Sequence, residues 1–175
     1  MTLGARGVRW PLALLACSLF ALGWAAIATS PPRLVYNASD SVPVGWYRIS
    51  PADLLAPGDL VLVHLPPEVR SLTAQRGYLP ANVPLLKTVA AMAPQRVCML
   101  GNQVRIDGEL VAWRLRWDRQ GRALPTRQAC RRLVGDELFL LSSNNPASFD
   151  SRYFGPVSAD AVIGRAQPLW LESRR

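Results

Sequence analysis

Histidine and lysine are nearly absent from this chain. Its 175 residues include one histidine, His64, and the twenty lysines and arginines comprise nineteen arginines and Lys87. With a single histidine, any Ser-His-Asp triad would have to use His64. That residue sits among alternating apolar neighbours in Val61–Leu65, which fits a strand histidine with a structural role. Cysteine is also scarce: Cys17, Cys98 and Cys130 show neither a CxxC nor a Cys/His spacing, so no metal site is expected. A glycine-rich phosphate loop is missing, and with it any sign of a nucleotide cofactor. No repeat or low-complexity tract occurs, and half of the residues are hydrophobic, so the chain reads as folded rather than disordered.

Charge is concentrated elsewhere than at the start. Residues 10–28, WPLALLACSLFALGWAAIA, contain none, and Arg6 and Arg9 precede them. A helix of this length is about 28 Å long, close to the hydrocarbon thickness. The expected division is a cytoplasmic segment at 1–9, a transmembrane anchor at 10–28 and an exported domain at 29–175, oriented by the two arginines. Ala26-Ile27-Ala28 also fits a cleavage site for a removed signal peptide; the length of the apolar run favours the anchor. Either way the domain is exported, which in a Gram-negative cell places it in the periplasm at the inner membrane. Cys98 and Cys130 then form an even pair open to disulfide formation, or two buried thiols. The net charge of +8 is spread over dispersed arginines, with a loose cluster from Arg114 to Arg132. No nucleic-acid-binding signature accompanies it, so the expected partner of the basic face is solvent or a lipid bilayer, and no nucleic acid.

The exported part is punctuated by proline and glycine and reads as mainly β. Strands are expected at Leu60–Leu65, within Pro84–Met92, at Arg96–Leu100, Gln103–Ile106, Glu109–Ala112 and Glu137–Leu141. Asp107-Gly108 marks a hairpin. Residues 66–82 read as a loop or short helix, 113–132 as a basic excursion and 142–150 as a polar loop.

Lys87 stands inside one of the apolar strands. The chain uses arginine wherever a generic cation suffices, yet only lysine can lose its proton when desolvated. Burial lowers a lysine pKa by as much as about 3–5 units, which would make Lys87 a general base. The alternative is a lysine whose stem lies on the core while its head reaches water. The partner for a base would be a nucleophile, and the stretch NASDSVPVGWYRIS supplies Ser39 and Ser41 immediately before Pro43 and Gly45.

In order along the chain, Ser41-Val42-Pro43-Val44-Gly45, Gly58-Asp59-Leu60-Val61, Leu85-Leu86-Lys87-Thr88-Val89 and Ser148-Phe149-Asp150-Ser151-Arg152-Tyr153-Phe154-Gly155 resemble the blocks of the signal peptidase I family. The form S-x-P-x-G-x-Y at Ser41–Tyr47, with Gly77–Lys87 and Gly121–Leu133, is similar to its TraF-type conjugative transfer branch. The resemblance covers nearly the whole chain. It implies a mainly β fold of the signal peptidase and LexA-like kind behind one N-terminal transmembrane helix. It further implies a serine–lysine dyad: Ser41 as nucleophile, Lys87 as base, Ser39 and the Ser41 N–H as oxyanion hole, Ser148 orienting the lysine, and Asp150 and Arg152 as a site-shaping pair. The implied substrate is a membrane-tethered preprotein, foremost a conjugative pilin precursor, cut and in some relatives cyclised, with conjugation or type IV secretion components as partners. A general signal peptidase I and an idle, membrane-anchored assembly factor are the alternatives. Val42 departs from the usual methionine or leucine, a change expected on the substrate-facing surface. Gly101-Asn102 replaces the common Gly-Asp.

Overall fold

The computed structural model describes residues 6–27 and 33–172. They belong to two compact units, Met1–Pro32 and Arg33–Arg175. The first holds the helix α1, Arg6–Ile27, with Pro11 inside it, where the missing N–H removes one backbone hydrogen bond. Among the described residues no helix is long and apolar enough to cross a membrane. The expected span 10–28 is therefore not shown. Its last residue, Ala28, which is also the end of the alternative cleavage motif, lies outside the described residues, as do 1–5 and 29–32 of the expected division.

The second unit is mainly β. Its strands are β1 (Leu34–Asn37), β2 (Gly45–Ser50), β3 (Leu60–Val63), β4 (Leu85–Met92), β5 (Arg96–Leu100), β6 (Gln103–Ile106), β7 (Glu109–Trp113), β8 (Ala129–Arg132), β9 (Glu137–Leu141), β10 (Val157–Ser158) and β11 (Val162–Leu171). A helix, α2 (Pro67–Gln75), follows β3, and a single helical turn, α3 (Ser151–Phe154), follows β9. Seven strands form an antiparallel sheet in the order β1-β2-β11-β3-β4-β9-β10; four form a second in the order β7-β6-β5-β8. The β6–β7 hairpin turns on Asp107 and Gly108, both at positive φ, as a tight two-residue hairpin loop requires.

Apolar clusters along these sheets make the core. Val61, Val63, Val89, Leu138 and Leu140 pack on one another, while Val97, Met99, Val104, Phe139 and Leu141 pack the second sheet against the first. Val42 joins Tyr47, Ile49, Leu62 and Leu86 and is 1% exposed. This corrects the expectation of a substrate-facing residue: Val42 fills the core beneath the loop, where a β-branched side chain replaces a longer one without touching substrate. In the loose arginine cluster Arg116, Arg119, Arg127, Arg131 and Arg132 are exposed, as a solvated basic face requires. Arg114 is buried and its guanidinium donates to the Arg127 carbonyl, while Arg122 and Arg131 pair with Asp118 and Glu137. His64 is exposed just past β3, and its backbone N–H donates to the Ala161 carbonyl at 2.9 Å.

Cys98 and Cys130 are bonded across β5 and β8, where they are register partners. Cys17 is free and exposed on α1.

β11 lies between β2 and β3 at the centre of the large sheet, although Gly164 and Pro168 make it look broken in sequence. The pairing shifts register at both places, which is how a strand tolerates such residues. Its approach also explains Gly45. A Cβ there would sit 2.2 Å from the Trp170 carbonyl oxygen and 2.8 Å from Leu171 Cα. The glycine is thus required twice, by its own φ of 147° and by the close approach of β11. Gly45→Ala is expected to lower the unfolding free energy by more than about 1 kcal/mol, measured by urea denaturation; unchanged stability would contradict this close approach.

Candidate active site

Lys87 is the third residue of β4, a strand buried from both sides by β3 and β9. Alternation along β4 turns its side chain inward, and it is 1% exposed. Its Nζ lies 2.7 Å from Ser41 Oγ and 2.7 Å from Ser148 Oγ, donating to both; the two hydroxyl oxygens are 3.2 Å apart. Three residues separated widely in sequence therefore close a triangle at the floor of a cleft of about 630 Å³. The snorkelling alternative for Lys87 is overturned, because its amine ends on hydroxyls inside the protein. Burial brings the ammonium down from the ordinary lysine range to about 8; the Asp150 carboxylate opposes that shift and the Arg152 guanidinium adds to it.

Each hydroxyl is held by its own loop. Ser41 lies in the 38–44 turn between β1 and β2, and its carbonyl accepts the Ser142 hydroxyl at 2.5 Å. Asn37, at the end of β1, fills the inside of that turn: its Nδ2 donates to the carbonyls of Ser39, Val42 and Pro43. The Tyr47 hydroxyl also donates to the Pro43 carbonyl, at 2.6 Å. Ser39 lines the cleft, but its hydroxyl donates to Asn37 Oδ1 at 2.8 Å.

Ser148 belongs to the 142–150 loop, which closes around Arg152. Arg152 is 2% exposed and Asp150 0%. Its Nε and Nη2 donate to the two Asp150 oxygens at 2.7 Å each, in the bidentate geometry of a strong pair. The remaining guanidinium hydrogens reach the carbonyls of Trp113, Asn145, Pro146 and Ser148. Asp150 in turn accepts the backbone N–H groups of Ser142 and Arg152. The pair touches neither Ser41 nor Lys87 through these bonds. It fixes the backbone that carries Ser148, and breaking such a buried pair costs about 3–5 kcal/mol.

The opposite wall comes from the basic excursion and the segment after α2. Tyr78 donates to Asp118 at 2.5 Å, Arg122 pairs with the same carboxylate at 2.7 Å, and Leu115 N–H donates to the Tyr153 hydroxyl at 3.0 Å. Phe149 stacks on Tyr153 with ring centroids 5.5 Å apart. Leu79, Leu115, Trp117 and Leu124 make this side of the cleft apolar.

All six residues expected at the site (Ser39, Ser41, Lys87, Ser148, Asp150 and Arg152) therefore come together: the side chains of Ser41, Lys87 and Ser148 touch one another, while Asp150 and Arg152 pair beside them and Arg152 reaches the Ser148 carbonyl. Asn37 and Ser142 escaped the sequence reading. Asn37 carried a local signal, an Asn two residues before a Ser, the spacing of an Asx-turn; Ser142 carried none.

Residues 8–171 match the family model described as signal peptidase, peptidase S26. The "Probable conjugal transfer protein TraF" of Sinorhizobium fredii (strain NBRC 101917 / NGR234) is 36% identical over 142 residues, covering 76% of this chain and 74% of that protein. The "Plasmid transfer protein TraF" of Escherichia coli is 32% identical over 144 residues, covering 76% and 80%. A crystal structure of a signal peptidase I from Enterococcus faecalis V583 is similar with a TM-score of 0.39 at 16% identity, over 65% of this chain and 97% of that one.

The buried amine has a consequence for stability. Between about pH 8 and the ordinary lysine range near 10.4 the unfolded chain binds a proton that the folded chain does not, so stability rises with pH across that window and is lower by a constant amount beneath it. Relative to Lys87→Met, the wild-type unfolding free energy should gain about 3 kcal/mol from pH 7 to pH 10.5. Urea denaturation at both values, disulfide intact, checks this; a pH-independent difference would contradict a buried, titrating amine.

Proposed function

The chain belongs to the S26 signal peptidase family, and on that premise we propose that it is a serine endopeptidase that uses Ser41 and Lys87 to cut an exported preprotein. The observation that carries this reading is the 2.7 Å contact between Ser41 Oγ and a lysine amine that is 1% exposed. In the neutral amine the same contact runs the other way, and the Ser41 hydroxyl donates to the Nζ lone pair. Lys87 takes that proton as Ser41 Oγ bonds to the scissile carbonyl carbon. An Nζ hydrogen stays on Ser148 Oγ and keeps the lone pair aimed at Ser41. The Ser41 N–H and, once turned, the Ser39 hydroxyl stabilise the oxyanion, each worth roughly 2.7–4 kcal/mol. Lys87 returns the proton to the leaving amine as the peptide bond breaks, leaving an ester on Ser41. Water, deprotonated by Lys87, then attacks the ester and frees Ser41.

The relatives are conjugal and plasmid transfer proteins by name, which supports a conjugative pilin precursor as the substrate of this chain and conjugation components as its partners. The apolar cleft wall suits an extended segment of such a precursor. We further propose α1 as a membrane anchor, with the peptidase unit in the periplasm: the charge-free run 10–28 behind two arginines and the disulfide between Cys98 and Cys130 both support it.

Co-expression with the candidate precursor, followed by intact-mass measurement, tests the reading. The expected result is a shortened product with wild type and none with Ser41→Ala or Lys87→Arg; equal processing by wild type and either variant would overturn it. With purified protein, kcat/KM should rise about tenfold per pH unit below the Lys87 pKa and level off above about 8; a flat profile from pH 6 to 9 would contradict Lys87 as base.

A further inference from the structure

Asn37 is 7% exposed and makes five hydrogen bonds, all within the turn that carries Ser39 and Ser41. Its Nδ2 donates to the carbonyls of Ser39 (2.8 Å), Val42 (3.0 Å) and Pro43 (3.1 Å). Its Oδ1 accepts from the Ser39 N–H (3.2 Å) and the Ser39 hydroxyl (2.8 Å). Chemistry fixes the orientation of the amide. Three carbonyls can only accept and a backbone N–H can only donate, so the oxygen and nitrogen of Asn37 cannot exchange places. The same logic fixes Ser39. Asn37 Oδ1 has no proton to give, so the hydroxyl hydrogen of Ser39 is committed to it.

An oxyanion donor has to turn that hydrogen toward the substrate. A neutral scissile carbonyl offers Ser39 no better acceptor than the neutral amide oxygen it already has. An ionised oxygen does, because charge-assisted hydrogen bonds are the stronger ones. The exchange thus becomes favourable as negative charge develops, and an interaction made only then lowers the barrier rather than tightening substrate binding.

We propose that Asn37 is a positioning residue for the reaction: it templates the turn that presents Ser41 and holds the Ser39 hydroxyl proton in reserve until the oxyanion forms. This rests on the peptidase reading given above. A purely architectural Asn37 would act on the turn alone, and its effect would not depend on Ser39.

A double-mutant cycle on kcat separates the two. Wild type, Asn37→Ala, Ser39→Ala and the double variant are compared on a peptide spanning the precursor's cleavage site. Ser39→Ala should lower kcat about a hundredfold, and Asn37→Ala should lower it at least tenfold, with KM changed by less than about threefold in each. Asn37→Ala should cost less kcat beside Ser39→Ala than beside Ser39, so the double variant loses less than the product of the two single losses. Losses that multiply, or a loss confined to KM, would overturn the proposal. If Asn37→Ala fails to fold, Asn37→Ser replaces it, since its hydroxyl can still donate to one carbonyl of the turn. Its loss of kcat should be larger beside Ser39 than beside Ser39→Ala. An equal loss in both backgrounds overturns the role. An inactive wild type would remove the peptidase reading and this role with it; an active wild type with unaffected variants would overturn this role alone.

Discussion

A primary amine enclosed by protein, with two hydroxyls as its neighbours, is the constraint on which the rest of this structure depends. Desolvation works against the ammonium form of Lys87 and so stores, in the folded state, the basicity that a serine nucleophile needs. Arginine could not serve at this position, since its proton is not removable and its planar fork needs carboxylate or carbonyl partners. The chain's near-exclusive use of arginine elsewhere makes the exception meaningful. The cost is a buried group that destabilises the fold at neutral pH, and the surrounding sheet has to be rigid enough to bear it. A central position on β4, between β3 and β9, meets that need.

Lys87 alone does not make a site; the loops that bring Ser41 and Ser148 to it do. Two polar side chains act as their frames. Arg152 gathers four carbonyls and the Asp150 carboxylate, and thereby fixes the loop ending in Ser148. Asn37 gathers three carbonyls and Ser39, and thereby fixes the loop carrying Ser41. The Ser142 hydroxyl joins the two loops through the Ser41 carbonyl. Buried networks of this kind are stabilising only when every member is satisfied, and these two are close to saturated. The far wall follows the same plan, with the Asp118 carboxylate linking Tyr78 to the basic excursion.

Much of this was legible in the sequence, for identifiable reasons. Strands such as Glu137–Leu141 are short apolar runs bounded by turn residues, and Asp107-Gly108 needs positive φ at both positions, so local chemistry announces them. Lys87 was legible because it is unique. β11 was not, because Gly164 and Pro168 oppose a strand locally and are accommodated only by bulges against β2 and β3. The same strand supplies a second reason for Gly45, beyond its positive φ, that no local pattern encodes. Val42 was misplaced because its neighbours in sequence line the cleft while its own side chain points into the core. Ser142 reaches Ser41 across more than a hundred residues, a contact that no local pattern encodes.

The chain's single lysine makes the central claim directly measurable. Protein labelled with ¹³C and ¹⁵N in lysine alone gives one side-chain signal, which reports Lys87 with no assignment problem. Its titration should show a midpoint near pH 8. A midpoint near 10.4, the value of a solvated lysine, would contradict a buried amine poised to take the proton of Ser41.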